Sequence, residues 1–167
     1  MTTTMAQVVI AGIAGLKQLV GTEVAVSDWL SVSQERIDEF AEATDDRQWI
    51  HVDRARAAKE SPYRATVAHG FLTLSLLPHL LQQAIEMQGV RMGINYGLNR
   101  VRFTGPVPAG ARVRARFRLA AVEDIAEAGR ADTPQSAGVQ INWVVTLERE
   151  GEAKPVLVAE WLTRRYE

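Results

Sequence analysis

Apolar side chains dominate residues 6–20, where Gln7, Lys17 and Gln18 are the only strongly polar positions. This run predicts a short helix packed on the domain, within an N-terminal segment 1–20. It is far shorter than the roughly 20 apolar residues a bilayer-spanning helix needs. No Lys or Arg precedes Val8, so a signal peptide is not expected either. Residues 22–32, with Val24, Val26 and Trp29, look extended. Ser31 or Ser33 can then cap a helix whose Ile37, Phe40, Ala41 and Thr44 share one face. A polar turn ends that helix. Asp53 is placed to cap a short helix through Lys59, and Ser61, Pro62 and Tyr63 read as a loop. From Gly70 to Gly89 only Glu86 is charged, while Thr73, Ser75, Pro78, His79, Gln82 and Gln83 interrupt the apolar run. That mixture predicts a long helix buried in a soluble core.

Beyond Gly89 the period changes to two. Val113, Ala115, Phe117 and Leu119 alternate with Arg112, Arg114, Arg116 and Arg118, the pattern of a strand with one buried and one wet face. Val139, Ile141, Trp143, Val145 and Leu147 alternate in the same way. Residues 91–104 and 155–165 are also strand-like, and Gly105-Pro106 and Pro108-Ala109-Gly110 punctuate the series. Residues 126–137 read as a Gly/Ala/polar loop, expected to be mobile. Helices followed by an antiparallel meander around one apolar helix make an α+β class. With no internal repeat, residues 1–167 are expected to form a single domain.

Composition narrows the chemistry. The 167 residues carry 19 Lys+Arg against 20 Asp+Glu, a net charge of -1, and contain no Cys. Disulfides, thiolate zinc sites, Fe–S clusters and Cys nucleophiles are therefore excluded. The balanced charge weighs against a nucleic-acid binder. A cytoplasmic protein acting on a small molecule is the expectation.

Two clusters carry candidate chemistry. The turn from Phe40 to Asp53 brings Asp45, Asp46, Gln48 and His51 beside Trp49 and Ile50. A carboxylate and an imidazole five residues apart across a turn can converge on one water, and the apolar neighbours can shift their pKa values. Taken alone, the cluster also fits a solvated turn. The second cluster is Ala68-His69-Gly70-Phe71. A helix entrance there presents free backbone N–H groups to a developing oxyanion, and Gly70 admits a substrate close to them. Taken alone, Gly70 also fits simple relief of crowding. His51, His69 and His79 show no HxxxH or HxH spacing, so no metal site is expected. The spacing of Gly12 and Gly15 is not that of a dinucleotide loop, and there is no G-x-S-x-G elbow.

In order along the chain, residues 40–51, then Ala68-His69-Gly70-Phe71-Leu72, then Asn99-Arg100-Val101-Arg102-Phe103 and Pro106-Val107-Pro108-Ala109-Gly110 resemble the MaoC-like dehydratases. This is the family of (R)-specific enoyl-CoA hydratases, and the resemblance is nearest to its nodulation protein N-like branch. It spans residues 20–160. It implies a hotdog fold, an antiparallel sheet wrapped around a long central helix, and a homodimer with the acyl pocket near the subunit interface. The family motif, Ser/Thr-Gly-Asp-x-Asn-Pro-aliphatic-His, places its catalytic Asp on Asp46 and its His on His51. Its oxyanion donor falls on the backbone N–H of Gly70. Gln48 stands where the family has Asn, Trp49 where it has Pro, and Asp45 where it has Gly. Gln48, Trp49 and His69 are the expected supporting residues.

The implied reaction is reversible hydration of trans-2-enoyl-CoA to (R)-3-hydroxyacyl-CoA, with no cofactor because CoA is part of the substrate. The even net charge conceals a dipolar chain: residues 28–46 hold seven acids and one base, whereas residues 100–118 hold six Arg and no acid. Arg100 and Arg102 are the candidates for the nucleotide phosphates. Arg112, Arg114, Arg116 and Arg118 read as a solvated strand face. Leu76 and Leu77, next to Pro78, are where the limit on acyl length is expected. A thioesterase on the same scaffold and a non-catalytic acyl-thioester binder are the rival readings, since a fold alone establishes neither chemistry.

Overall fold

A computed structural model describes residues 6–125 and 138–167; the loop expected at 126–137 lies outside them. The predicted N-terminal helix is instead a strand, β1 (Val8–Ala11), followed by a short helix, α1 (Gly12–Lys17). The β-branched run Val8-Val9-Ile10 favours extended backbone, and Gly12, at φ +64°, makes the turn into α1. Strands β2 (Glu23–Val26) and β3 (Leu30–Ser31) follow. Helix α2 (Gln34–Thr44) starts where Ser33 Oγ accepts from the Arg36 N–H at 3.3 Å. It stops where Asp45 turns left-handed at φ 59°. That φ explains why Gly suits the position in the family motif.

Helix α3 (Trp49–Val52) occupies the stretch read as a turn, and α4 (Arg54–Glu60) is capped by Asp53 Oδ1, 2.9 Å from the Arg56 N–H. The long helix predicted over 70–89 is shorter and broken. It comprises α5 (Gly70–Ser75) and α6 (Leu77–Ala84), joined at Leu76 with helical backbone angles. Pro78 has no N–H to give the carbonyl one turn back, which interrupts the ladder there. The last residues leave the helix altogether as β4 (Ile85–Gln88), because Ile85 through Gln88 pair in parallel with β1.

Four long strands complete the chain: β5 (Met92–Phe103), β6 (Arg112–Ile125), β7 (Gly138–Arg149) and β8 (Leu157–Tyr166). The main sheet has the order β2-β6-β7-β8-β5, with β3 also on β6, and its pairs are antiparallel. Its inner face buries Val113, Ala115, Phe117, Leu119, Ile141, Trp143, Val145 and Leu147 against Leu76, Leu77, Leu80 and Leu81 of the helical run. Phe117 meets Trp143 edge to face at 6.2 Å. Each such large side chain contributes about 1.5–3 kcal/mol by leaving water. On the outer face the β6 arginines are paired: Arg112 with Glu150 at 3.0 Å, Arg114 with Glu148 at 2.6 Å and Arg116 with Glu23 at 2.7 Å. These pairs are partly exposed, so each is worth no more than about 1 kcal/mol. The sheet around a central helical run is a hotdog fold. Among the described residues no helix is long and apolar enough to cross a membrane.

Candidate active site

The site forms where α2, α3 and the segment leading into α5 meet. His51 lies in the last turn of α3, buried, and its Nδ1 is 2.6 Å from the carbonyl oxygen of Val67. A carbonyl only accepts, so Nδ1 carries the hydrogen and Nε2 of the neutral ring is left as an acceptor. Burial pulls the His51 pKa below its ordinary value of 6.5. The Val67 hydrogen bond opposes that shift, His69 adds to it, and Asp46 opposes it more weakly. At neutral pH the ring is therefore uncharged.

His69 stacks on His51 with ring centroids 3.7 Å apart and planes 25° from parallel. Its Nε2 donates to the backbone carbonyl of Asp46 at 2.9 Å, and the Asp46 carboxylate is 4.0 Å away. Phe40 packs on the other side of His69 at 5.0 Å. This arrangement brings ligand atoms of Asp46, His51 and His69 within 4.8 Å of one another, close enough to share one small molecule. Local spacing rules see nothing of this, because His51 and His69 are 18 positions apart and meet only through the fold. His79 is exposed on α6 and takes no part.

Gly70 opens α5, and its amide is one of the first-turn N–H groups with no acceptor inside the helix. With His51, Ile50, Thr73 and Phe103 it lines an open cavity of about 410 Å³. A Cβ at Gly70 would come within 2.8 Å of the Phe103 ring. The glycine is thus required by close packing, not by its backbone angles.

Other expected residues fall differently. The Asp46 side chain remains about half exposed. Asp45 pairs with Arg47 at 2.6 Å and is largely exposed, so the two acids do not share a buried site. Gln48 is exposed at the start of α3 and makes no side-chain cap there. Trp49 lies under the Arg56 guanidinium at 4.4 Å and does not line the cavity. Leu76 is core. Leu77 borders a separate space of about 270 Å³ farther along the helical run. Arg100 and Arg102 are exposed on β5, and among the described residues neither forms an ion pair, in contrast to the β6 arginines.

One residue not anticipated from the sequence holds the site together. Buried Gln34, at the start of α2, donates from Nε2 to the His51 carbonyl at 2.7 Å and accepts from the Thr66 hydroxyl. It ties the helix carrying His51 to the segment whose Val67 carbonyl fixes the His51 ring. A polar residue after a helix cap is ordinary in a sequence, and only its burial reveals this role.

The hotdog scaffold thus sets a neutral imidazole and a helix-entry amide on one cavity, with the half-exposed Asp46 carboxylate close to the two stacked imidazoles. The chain matches the MaoC-like domain family over residues 16–139 and belongs to it. It is 47% identical over 152 residues to 3-hydroxyacyl-thioester dehydratase Z of Mycobacterium tuberculosis, covering 91% of this chain and 94% of that one. It is 43% identical to Nodulation protein N of Rhizobium leguminosarum, covering 90% and 89% respectively. Among solved structures, the (R)-hydratase of A. caviae superposes with a TM-score of 0.60 at 23% identity, covering 86% of this chain and 94% of that one.

Proposed function

We propose that the protein hydrates trans-2-enoyl-CoA thioesters reversibly to (R)-3-hydroxyacyl-CoA. The observation that supports this reading is the tautomer of His51: Nδ1–H is committed to Val67, which leaves Nε2 as an acceptor, and ligand atoms of His51 and Asp46 lie within 4.8 Å of each other. A water there donates one hydrogen to each and turns a lone pair toward the substrate. Its oxygen bonds to the β carbon, and the π electrons move toward the thioester carbonyl. The Gly70 N–H faces the charge that develops on that oxygen. Asp46 takes one water proton and returns it to the α carbon, while the other hydrogen stays on the new hydroxyl. Neutral His51 thus orients the water as an acceptor.

Exposed Arg100 and Arg102 are the proposed contacts for the CoA phosphates. Self-association is supported by β5, which ends the sheet and carries exposed Met92, Ile94, Tyr96 and Leu98. Such an apolar edge favours a second copy over water, and a second copy would also cover more of the acyl pocket.

Purified protein incubated with crotonyl-CoA tests the assignment. Loss of enoyl absorbance supports hydration, release of free thiol makes the protein a thioesterase, and saturable binding without either makes it a binder. Asp46→Asn and His51→Ala should each lower hydration by about 10²–10⁴-fold with unchanged circular dichroism. Near-normal turnover in either variant overturns the proposed roles.

A further inference from the structure

At the opposite end of the helical run from Gly70 lies a second cavity, of about 370 Å³, walled by Leu81, Ile85, Met87 and Val90. It contains charge where the strand pattern calls for an apolar residue. Along β8 the inward row is Leu157, Ala159, Trp161, Thr163 and then Arg165. Arg165 lines the cavity, partly buried, and packs so closely over Gly93 that a Cβ there would lie 2.6 Å from its guanidinium. Among the described residues it donates to the neighbouring Arg164 carbonyl at 3.0 Å and forms no ion pair. Burial holds its pKa below the usual guanidinium value.

A second, independent feature points the same way. Trp143 is 1% exposed, lines this cavity, and its Nε1–H has no partner. The hydroxyl of fully buried Thr163, two residues from Arg165 on the same row, is also unpartnered. Buried donors are rarely left unsatisfied. Among the described residues, Arg165 and the Trp143 side chain border one space, together with the amides of Gln82 and Asn95 and with no acidic side chain.

We infer that this cavity is a carboxylate-binding site, with Arg165 and the Trp143 N–H receiving the carboxylate and the Leu81–Val90 wall taking an apolar chain. A guanidinium presents two parallel N–H groups to a carboxylate, which gives strength and orientation together. The carboxylate has two chemical sources, a free fatty carboxylate or the far end of the acyl group itself. The second source rests on the proposed hydration reaction. An adjoining space bordered by Leu74, Leu77 and Leu98 shares Pro78 and Asn95 with this cavity, but no lining residue with the cavity at Gly70. Gly70 and Leu81 are 11 residues apart, about 17 Å along a helical run, the reach of an extended acyl chain of about 14 carbons.

Calorimetric titration with octanoate and with octan-1-ol tests the site without any turnover. Octanoate should bind saturably to the wild-type protein and at least ten-fold more weakly to Arg165→Gln, whereas octan-1-ol should bind both equally. Arg165→Lys, which keeps the charge, should recover part of the affinity, and Trp143→Phe should lose several-fold. No saturable octanoate binding, or equal binding by Arg165→Gln, overturns the proposal and leaves a water-filled cavity. Hydration of trans-2-tetradecenoyl-CoA and of its analogue with a terminal carboxylate then separates the sources. A selective loss of kcat/KM for the carboxylate analogue in Arg165→Gln assigns the site to the substrate. Unchanged turnover of both assigns it to a free carboxylate. Failure of the protein to hydrate either ester would count against the proposed reaction while leaving the octanoate result standing.

Discussion

The two ends of the central helical run treat their polar groups in opposite ways. At the Gly70 end, backbone carbonyls fix the imidazoles: His51 Nδ1 on Val67, His69 Nε2 on Asp46, with Gln34 holding the His51 main chain. At the far end, Arg165 and Trp143 line a cavity with no acidic side chain among the described residues, and the Trp143 N–H has no partner there. The first end has paid its ordering cost in folding and offers acceptors in a set geometry. The second offers donors whose partner must come from outside. Preorganisation of this kind is what a reaction centre needs, because charge that develops in a transition state is stabilised best by groups that need not move. Unsatisfied donors beside an apolar wall are instead the mark of a binding site.

Gly70→Ala is the largest perturbation expected to break the fixed end without removing a chemical group. The added Cβ collides with Phe103, which costs about 1–3 kcal/mol by overpacking. The same collision shifts the amide proposed to face the thioester, so kcat should fall by at least ten-fold. Phe103→Leu in the same chain should restore the midpoint of urea unfolding more than it restores kcat. Equal recovery of both would show that Gly70 acts through packing alone.

Gln34→Ala sharpens the comparison next. It leaves the Thr66 hydroxyl and the His51 carbonyl without their partner, at a cost of about 1–3 kcal/mol in denaturant unfolding. As a positioning residue it should lower kcat more than it raises KM. It should also alter the acid limb of the pH profile, which a purely structural role would leave in place.

That limb follows from His51. Its folded pKa lies below 6.5, so the unfolded chain binds more protons than the native state below pH 6.5. Stability therefore falls with pH from 6.5 down to the native pKa, and the His51→Gln variant should lack this component. Hydration needs Nε2 unprotonated, so activity should persist below pH 6.5 before it is lost. An acid limb centred above 6.5 would contradict a neutral, buried His51.

The smallest effects belong to the surface. Alanine at both Arg100 and Arg102 should raise KM for the CoA ester several-fold, weaken its salt dependence and leave kcat intact. Arg114→Ala, which breaks a partly exposed pair with Glu148, should change stability by no more than about 1 kcal/mol and leave KM unaltered. The contrast between these variants separates arginines that await an anion from arginines already paired.

Much of this arrangement was legible along the chain. The caps at Ser33 and Asp53 depend on atoms three residues away, and both form. The alternation from Val113 to Leu119 reports the two faces of β6 directly. The expectations for Asp46, His51 and Gly70 came from their order in a family motif, not from local periodicity. The N-terminal helix and the last turn of the helix over 70–89 failed for a common reason, whereas the break at Leu76 belongs to Pro78. Ile85–Gln88 abandons the helix to pair with Val8–Ala11, and the two partners are 77 positions apart.

Short-range sterics and the period of apolar residues were thus sufficient to determine the caps, the strand faces and the α+β class, because each depends on neighbours a few residues away. The tertiary structure decided what those elements hold: which carbonyl fixes which ring, that His51 is buried and neutral, that Gln34 joins two segments, and that Arg165 faces inward. Burial and hydrogen-bond partners are properties of the packed chain, and burial is what keeps the His51 ring neutral below its ordinary pKa of 6.5.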